Sequence, residues 1–125
     1  MNSSSLARQA YGQAVQTTRT DRSTEYLLIA KVTHRIKASA EAGALKYSDL
    51  VEALSDNQRV WTTLAVDVAN ENNRLPQELR ARIFYLSEFV QVYTRKVLLD
   101  GASVRPLLDI NSAILRGLSG KGTTR

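Results

Sequence analysis

Apolar residues recur along most of the chain at spacings of three, four and seven, the period of an amphipathic helix. The clearest stripe lies in the second half of the chain and comprises Leu79, Ile83, Leu86, Val90, Tyr93 and Val97. A second stripe precedes it and comprises Leu50, Leu54, Trp61, Leu64 and Val68. The two stripes predict a pair of helices that pack against each other through these faces.

A short polar turn is predicted between the two stripes. Residues 70–73 read Asn-Glu-Asn-Asn, and their side chains compete with the helical backbone for hydrogen bonds. Asn also tolerates the left-handed conformation of a helix C-terminal cap. Pro76 suits the first turn of the following helix because its missing N–H costs nothing there, and Glu78 favours the positive end of the helix dipole. The stretch from Asn57 to Val90 is therefore predicted to be a helical hairpin.

Two helical segments are predicted before the hairpin. The first is a short N-terminal segment whose few apolar residues make it a poor helix by itself. These residues are Leu6, Ala10 and Ala14. The second helix can be capped by Asp21 or Ser23 and ends at Gly43. Its stripe comprises Tyr26, Ile29, Ile36 and Ala40, widened by Leu28 and Val32.

One further helix is predicted after the hairpin. Gly101 separates it from the hairpin, and it begins near Ser103 with Pro106 tolerated in its first turn. Its inward positions are Leu107, Ile110 or Asn111, Ile114 and Leu118. Residues 119–125 have no apolar side chain and are expected to form a mobile tail. We therefore predict an all-α fold, a single compact bundle of about five helices over residues 1–118.

The composition argues against several classes of catalytic and metal-binding site. The chain has no cysteine, which excludes disulfides, zinc-thiolate sites and thiol nucleophiles. His34 is the single histidine and is interpreted as a structural or surface residue. Asp67 and Glu71 lie one helical turn apart, a spacing common on solvated helix faces. No glycine-rich phosphate loop occurs, so we expect no enzymatic activity, no cofactor and no metal.

Charge and hydropathy indicate where the protein acts. No segment has the apolar core of a secretory signal or the roughly 20 apolar residues of a membrane span, so a cytoplasmic protein is expected. The net charge is +5, and the basic excess lies in the terminal parts of the chain. Arg80, Arg82, Arg95 and Lys96 could line a phosphate-binding face, or they could simply keep the surface solvated. Because no RNA-binding motif accompanies them, a nucleic-acid partner is not favoured.

The aromatic residues allow two interpretations. Trp61 lies on an inward stripe and is either a core anchor that donates its indole N–H to a nearby acceptor or a binding anchor at a groove. Tyr85, Val92 and Leu99 lie opposite the main stripe of their helix, and Phe89 bridges the two faces. That helix is therefore either central in the bundle or presents an exposed groove that accepts an amphipathic helix.

The chain resembles the FlaF family of flagellar biosynthesis regulators over nearly its whole length. The likeness begins with AYGQAVQTTRTDRSTEYLLIAKVTHRIKASAEAG at residues 10–43 and ends with VLLDGASVRPLLDINSAILRGL at residues 97–118. Its most specific part is the central block DNQRVWTTLAVDVANENNRLPQELRARIFYLSEFV. There, tryptophan precedes LAVDVA, and an Asn-rich turn with LP precedes ELRARIFYL.

The resemblance implies a non-enzymatic bacterial protein needed for making or exporting flagellin, acting alongside the companion regulator FlbT. Our leading hypothesis is a cytoplasmic export chaperone that binds the terminal helical segments of flagellin in a groove. The apolar contacts predicted for it are Trp61, Leu64, Tyr85, Phe89, Val92 and Tyr93, with Arg80, Arg82 and Arg95 as rim charges. The alternatives are a translational regulator that contacts the flagellin messenger and an adaptor that acts only through FlbT. The oligomeric state is left open.

Overall fold

A computed structural model of the chain describes residues 20–118, which form four α-helices and no strand. The helices are α1 (Thr20–Ala42), α2 (Tyr47–Ala69), α3 (Gln77–Asp100) and α4 (Arg105–Leu118), with a short 3-10 helix at Gly43–Lys46. The all-α class is confirmed. About five helices were predicted for the whole chain, and residues 20–118 contain four. The predicted N-terminal segment with Leu6, Ala10 and Ala14, and residues 119–125, lie outside the described residues.

The four helices follow one another around a ring. α1 packs against α2 on one side and α4 on the other, and α2 packs against α3. The contact between α3 and α4 is slight, and α1 and α3 are not neighbours. The predicted α2–α3 hairpin is therefore present. α3 has one extensively packed neighbour in the described part of the chain, so it is a peripheral helix of the bundle.

The predicted stripes form the core. α2 buries Leu54, Trp61, Leu64 and Val68, and α3 buries Ile83, Val90 and Val97. Leu50, Leu79, Leu86 and Tyr93 pack against this core while partly buried. α1 contributes Ile29, Val32 and Ile36, and α4 contributes Leu107 and Ile114. Leu28, which was predicted to widen the stripe of α1, is 43% exposed.

A group of polar side chains lies inside this apolar core. The indole N–H of Trp61 donates to Asn111 Oδ1 at 2.9 Å. Asn111 Nδ2 donates to Asn57 Oδ1 and to Thr33 Oγ1, each at 2.9 Å. Asn111, rather than Ile110, is therefore the fully buried residue of the alternative predicted for α4. The hydrogen bonds connect α1, α2 and α4 at one level of the bundle.

Two glycines end helices as predicted. Gly43 has a φ of 70° and follows the last residue of α1. Gly101 has a φ of 69° in the left-handed region and donates its N–H to the carbonyl of Val97 at 3.1 Å. Asp21 and Ser23, the predicted caps of this helix, both lie inside α1, whose described range begins at Thr20.

The turn between α2 and α3 closes differently from the prediction. Asn70 has φ −72° and ψ 133°, an extended conformation, and Pro76 lies just before α3 rather than inside it. Among residues 20–118 no residue other than glycine has a positive φ. Arg80 supplies the missing cap, because its Nε–H donates to the Val68 carbonyl and its Nη2 to the Asn70 carbonyl, both at 2.9 Å. A side chain from the second helix thus satisfies carbonyls that a left-handed turn would otherwise cover.

Candidate protein-interaction surface

The side of α3 that faces away from the core is apolar. Tyr85, Val92 and Leu99 are 66%, 57% and 80% exposed. Their spacing of seven residues places them on one line along the helix. Phe84 and Phe89, 46% and 36% exposed, lie on either side of that line. We call these five side chains the outer face of α3. The central-helix interpretation is therefore wrong for this face, and the exposed-surface interpretation agrees with the structure.

The apolar side chains of the outer face are grouped on one side of α3, unlike the other exposed apolar residues. Single exposed apolar side chains are normal on protein surfaces, and several lie on α1, on α2 and around the 3-10 helix. They are Leu27, Leu28, Leu45, Tyr47 and Val66. On α3, by contrast, the stripe from Tyr85 to Leu99 extends for about 21 Å at a rise of about 1.5 Å per residue. A stripe of this shape matches the length of a partner helix of about four turns.

An aromatic pair fixes one edge of the outer face. The rings of Phe89 and Tyr93 are stacked, with 5.5 Å between their centroids. The Tyr93 hydroxyl donates to the Ser103 carbonyl at 2.7 Å, in the segment that joins α3 to α4. Tyr93 is partly buried against the core, so it orients Phe89 from below and offers little surface of its own.

Charged side chains lie on both sides of the line from Tyr85 to Leu99. At about 100° per residue, Glu88 and Arg95 lie along one edge and Arg82 and Lys96 along the other. All four are exposed. The ion pairs seen among residues 23–117 include none of them. Their charges are therefore available to a partner that covers the apolar stripe.

Six of the nine residues predicted to contact a partner lie on or beside this face. They are Arg82, Tyr85, Phe89, Val92, Tyr93 and Arg95. Trp61 and Leu64 lie in the core at 0% and 2% exposure, so neither side chain reaches the surface in this structure. Trp61 is the core anchor with a bonded indole N–H, as one of its two interpretations proposed. Arg80 caps α2 and does not lie at the rim of the outer face.

Four further residues of this region were not among the predicted contacts; one of them, Lys96, was named only for a possible phosphate-binding face. Leu99 continues the line of Tyr85 and Val92 and was recognised as part of the stripe, but not as a contact. Phe84 lies off that line. Predicting its exposure requires knowing how wide the exposed side of α3 is, and that width depends on how many helices pack against α3. Glu88 carries a charge opposite to that of the predicted arginine rim. Only its position one turn before Val92 could have indicated that it belongs to this region.

A group of polar side chains from α1 and α2 surrounds His34. His34 is exposed and lines a surface cavity of about 270 Å³ together with Arg35, Ser39, Asp49 and Glu52. Arg35 in turn forms an ion pair with Asp56 at 2.7 Å. Within the described range 20–118, no three His, Cys, Asp or Glu side chains come together as metal ligands. None of the helices in that range has the length and apolar character needed to cross a bilayer.

The chain matches a known protein family. The model of the family described as flagellar protein FlaF matches residues 7–118. No curated protein and no solved structure is significantly similar to the chain. The matched range includes all four helices and the entire outer face of α3.

Proposed function

The chain belongs to the FlaF family of flagellar proteins, and we propose that it is a cytoplasmic chaperone that binds a terminal helical segment of flagellin on the outer face of α3. The observation that supports this role is the exposure of a line of apolar side chains on a helix whose opposite side packs in the core. Such a stripe on a soluble domain is typical of a surface that a partner covers.

The shape of the outer face favours an amphipathic helix as the bound element. The stripe is straight, about one helix wide and about 21 Å long, which suits roughly 14 residues of a partner helix. Phe89 and Tyr85 supply the large aromatic contacts that contribute most binding energy at protein interfaces. Arg82, Arg95 and Lys96 at the edges favour acidic residues beside the apolar side of that helix.

The bound helix in this proposal is a terminal segment of flagellin. The terminal segments of flagellin are amphipathic helices that are disordered before assembly and that drive polymerisation once paired. A chaperone that covers one such segment would keep flagellin unpolymerised until export. Folding of the segment upon binding costs conformational entropy, which favours moderate affinity and easy release.

A pull-down of flagellin at moderate salt tests the proposal directly. Val92→Asp buries a charge in the centre of the stripe and is expected to weaken flagellin binding at least tenfold. The matched control is Val66→Asp, which makes the same change at a valine that is 69% exposed on α2. Flagellin binding by a folded Val92→Asp protein that equals the control would rule out this face, and Phe89→Asp gives a second measurement at its edge.

The second candidate function is post-transcriptional control of the flagellin messenger, together with FlbT or on the RNA itself. The net charge of +5 favours it, as do three exposed cations beside the outer face, Arg82, Arg95 and Lys96. RNA binding of this kind weakens steeply as salt rises, whereas binding to an apolar stripe is much less sensitive to salt. A filter-binding titration with the flagellin leader RNA, together with co-purification of FlbT, separates the two functions.

A further inference from the structure

The gap between α3 and α4 opens toward one end of the bundle. Residues 101–104 join the two helices at the other end, where the Tyr93 hydroxyl donates to the Ser103 carbonyl at 2.7 Å. The contact between α3 and α4 is nevertheless slight, so the helices diverge from this junction. Leu86 and Phe89, seven and four residues before Tyr93, lie on the same side of α3 but nearer the open end. Leu86 is partly buried and Phe89 is 36% exposed, so this side of α3 is incompletely covered.

Hydrogen bonds show which parts of the helices lie side by side. Asn111 of α4 bonds to Thr33 of α1 and to Trp61 of α2, which places these three helices at one level. Ser87 of α3 donates to the Trp61 carbonyl at 3.2 Å and therefore lies at the same level. Because short turns join each helix to the next, α1 and α3 run in one direction while α2 and α4 run in the other.

The chain enters the bundle at the open end of the gap. From the common level, α1 begins 13 residues back at Thr20, α3 begins ten residues back at Gln77, and α4 ends seven residues on at Leu118. These lengths correspond to about 20, 15 and 10 Å in the same direction. Adjacent helices about 10 Å apart place the diagonal pair α1 and α3 about 14 Å apart. Residues 16–19 can extend over about 13 Å, which brings the residues before them to the gap.

The segment that precedes α1 has the properties of a docking element. Its apolar line, formed by Leu6, Ala10 and Ala14, is too weak to stabilise a helix by itself. The family match begins at residue 7, so most of this segment belongs to the same domain as the four helices. As a helix, residues 6–15 would span about 15 Å, and the stretch of α3 along the gap, residues 77–89, spans about 18 Å. Two of the three apolar side chains are alanines, which allow the segment to approach α3 closely.

We propose that residues 6–15 dock as a helix in the gap between α3 and α4, antiparallel to α3. The apolar line of the segment packs on Leu86 and Phe89 and covers one side of Tyr85. This contact gives α3 a second packed neighbour at its N-terminal half. The second half of the outer face, with Val92 and Leu99, remains exposed.

A docked segment would restrict access to the outer face. A partner helix that follows the whole line from Tyr85 to Leu99 would have to displace it, a consequence that rests on the proposed function. The docking itself is measured with the purified chain alone. Its failure would leave the flagellin proposal standing, and failure of flagellin binding would leave the docked segment standing.

Trypsin cleavage after Arg8 tests the docking, because Arg8 lies inside the segment. A docked segment must be released before a protease can cut it, so the cleavage rate follows the released fraction. We expect cleavage at Arg8 to be at least about tenfold slower in the full chain than in a peptide of residues 1–19. Cleavage at Arg59, inside α2, reports unfolding of the whole bundle and is expected to stay slow in every variant compared.

A charge placed on α3 identifies the docking surface. Tyr85→Asp is expected to speed cleavage at Arg8 about fivefold, because the carboxylate would lie under the docked segment. Tyr47→Asp makes the same change at a tyrosine that is 51% exposed at the opposite end of the bundle. Val66→Asp places the charge on α2, at a valine that is 69% exposed. Both controls are expected to cleave at Arg8 within about twofold of the wild-type rate.

A second pair of variants tests the segment itself. Ala14→Asp places a charge on its apolar line, and Gln13→Asp places the same charge one residue away from that line. Each rate is divided by that of a peptide with the same change, which removes any direct effect on trypsin. Ala14→Asp is expected to lose most of the protection at Arg8, and Gln13→Asp is expected to keep it.

Three results would overturn the proposal. They are equal cleavage of the full chain and the peptide, no acceleration by Tyr85→Asp, and equal acceleration by Tyr85→Asp and Val66→Asp. The first would mean that the segment does not dock. The other two would mean that it docks on a different surface.

Discussion

Trp61 and Asn111 are joined across the centre of the bundle by a hydrogen bond of 2.9 Å from the indole N–H to Oδ1. Both side chains are fully buried. A buried indole N–H requires an acceptor, and a buried side-chain amide requires partners for both its oxygen and its nitrogen. Asn111 meets these requirements for α2 and α1 at once, so its amide links α4 to both of those helices.

Replacement of Asn111 by alanine is expected to lower the free energy of unfolding by about 2–4 kcal/mol. The change leaves the Trp61 N–H and the Asn57 Oδ1 buried without their partner and also opens a small cavity. Urea denaturation monitored by Trp61 fluorescence measures the effect. Asn72→Ala, at an exposed position of the α2–α3 turn, is the control and is expected to cost much less. Equal loss of stability in both variants would show that the buried amide has no special role.

Asn57→Leu is expected to behave differently although Asn57 is as deeply buried. Its Nδ2 has no hydrogen-bond partner, so the wild-type side chain already carries the cost of one buried unsatisfied donor. Leucine has a similar volume and removes that cost. One Asn111 Nδ2 hydrogen loses its acceptor, while the other keeps its bond to Thr33, so one unsatisfied buried donor replaces another. We expect a free energy of unfolding within about 1 kcal/mol of wild type. A loss as large as that of Asn111→Ala would contradict this assignment.

The periodic apolar pattern predicted the helices and most of the core residues. It did not identify the polar residues that are buried in the same core. Asn57 occupies the inward position three residues after Leu54 and four before Trp61, and the spacing alone would have placed it in the core. It was missed because a polar residue interrupts a pattern that is read by hydrophobicity. Asn111 was predicted as one of two alternatives, since Ile110 beside it suits an apolar stripe equally well.

The outer face shows where the sequence information ends. The line from Tyr85 through Val92 to Leu99 could be predicted from spacing, because seven residues are close to two helical turns. Whether that line is buried depends on how many helices surround α3, and this is a property of the whole bundle. The capping role of Arg80 was hidden for a similar reason: its acceptors lie on the preceding helix, across a turn whose backbone differs from the predicted one.

Arg80→Met is expected to destabilise the protein by about 1–2 kcal/mol. Methionine keeps much of the apolar stem but leaves the carbonyls of Val68 and Asn70 without the guanidinium N–H groups. Arg82→Met removes the same charge two residues later at an exposed position and is expected to change stability by less than about 0.5 kcal/mol. Thermal unfolding of the two variants gives the comparison. Equal melting temperatures would show that Arg80 is another surface charge.

Gly101 and Gly117 are expected to respond to alanine with opposite signs. Gly101 has a φ of 69° as the cap of α3, and alanine there costs about 1 kcal/mol because its Cβ disfavours the left-handed conformation. Gly117 lies inside α4, and a Cβ there would meet no atom within 4 Å. Gly117→Ala is therefore expected to stabilise the protein by about 0.5–1 kcal/mol, through higher helix propensity and a less flexible unfolded chain. Chemical denaturation of the two variants measures both signs. A stabilising Gly101→Ala would mean that the chain does not use a left-handed residue to leave α3.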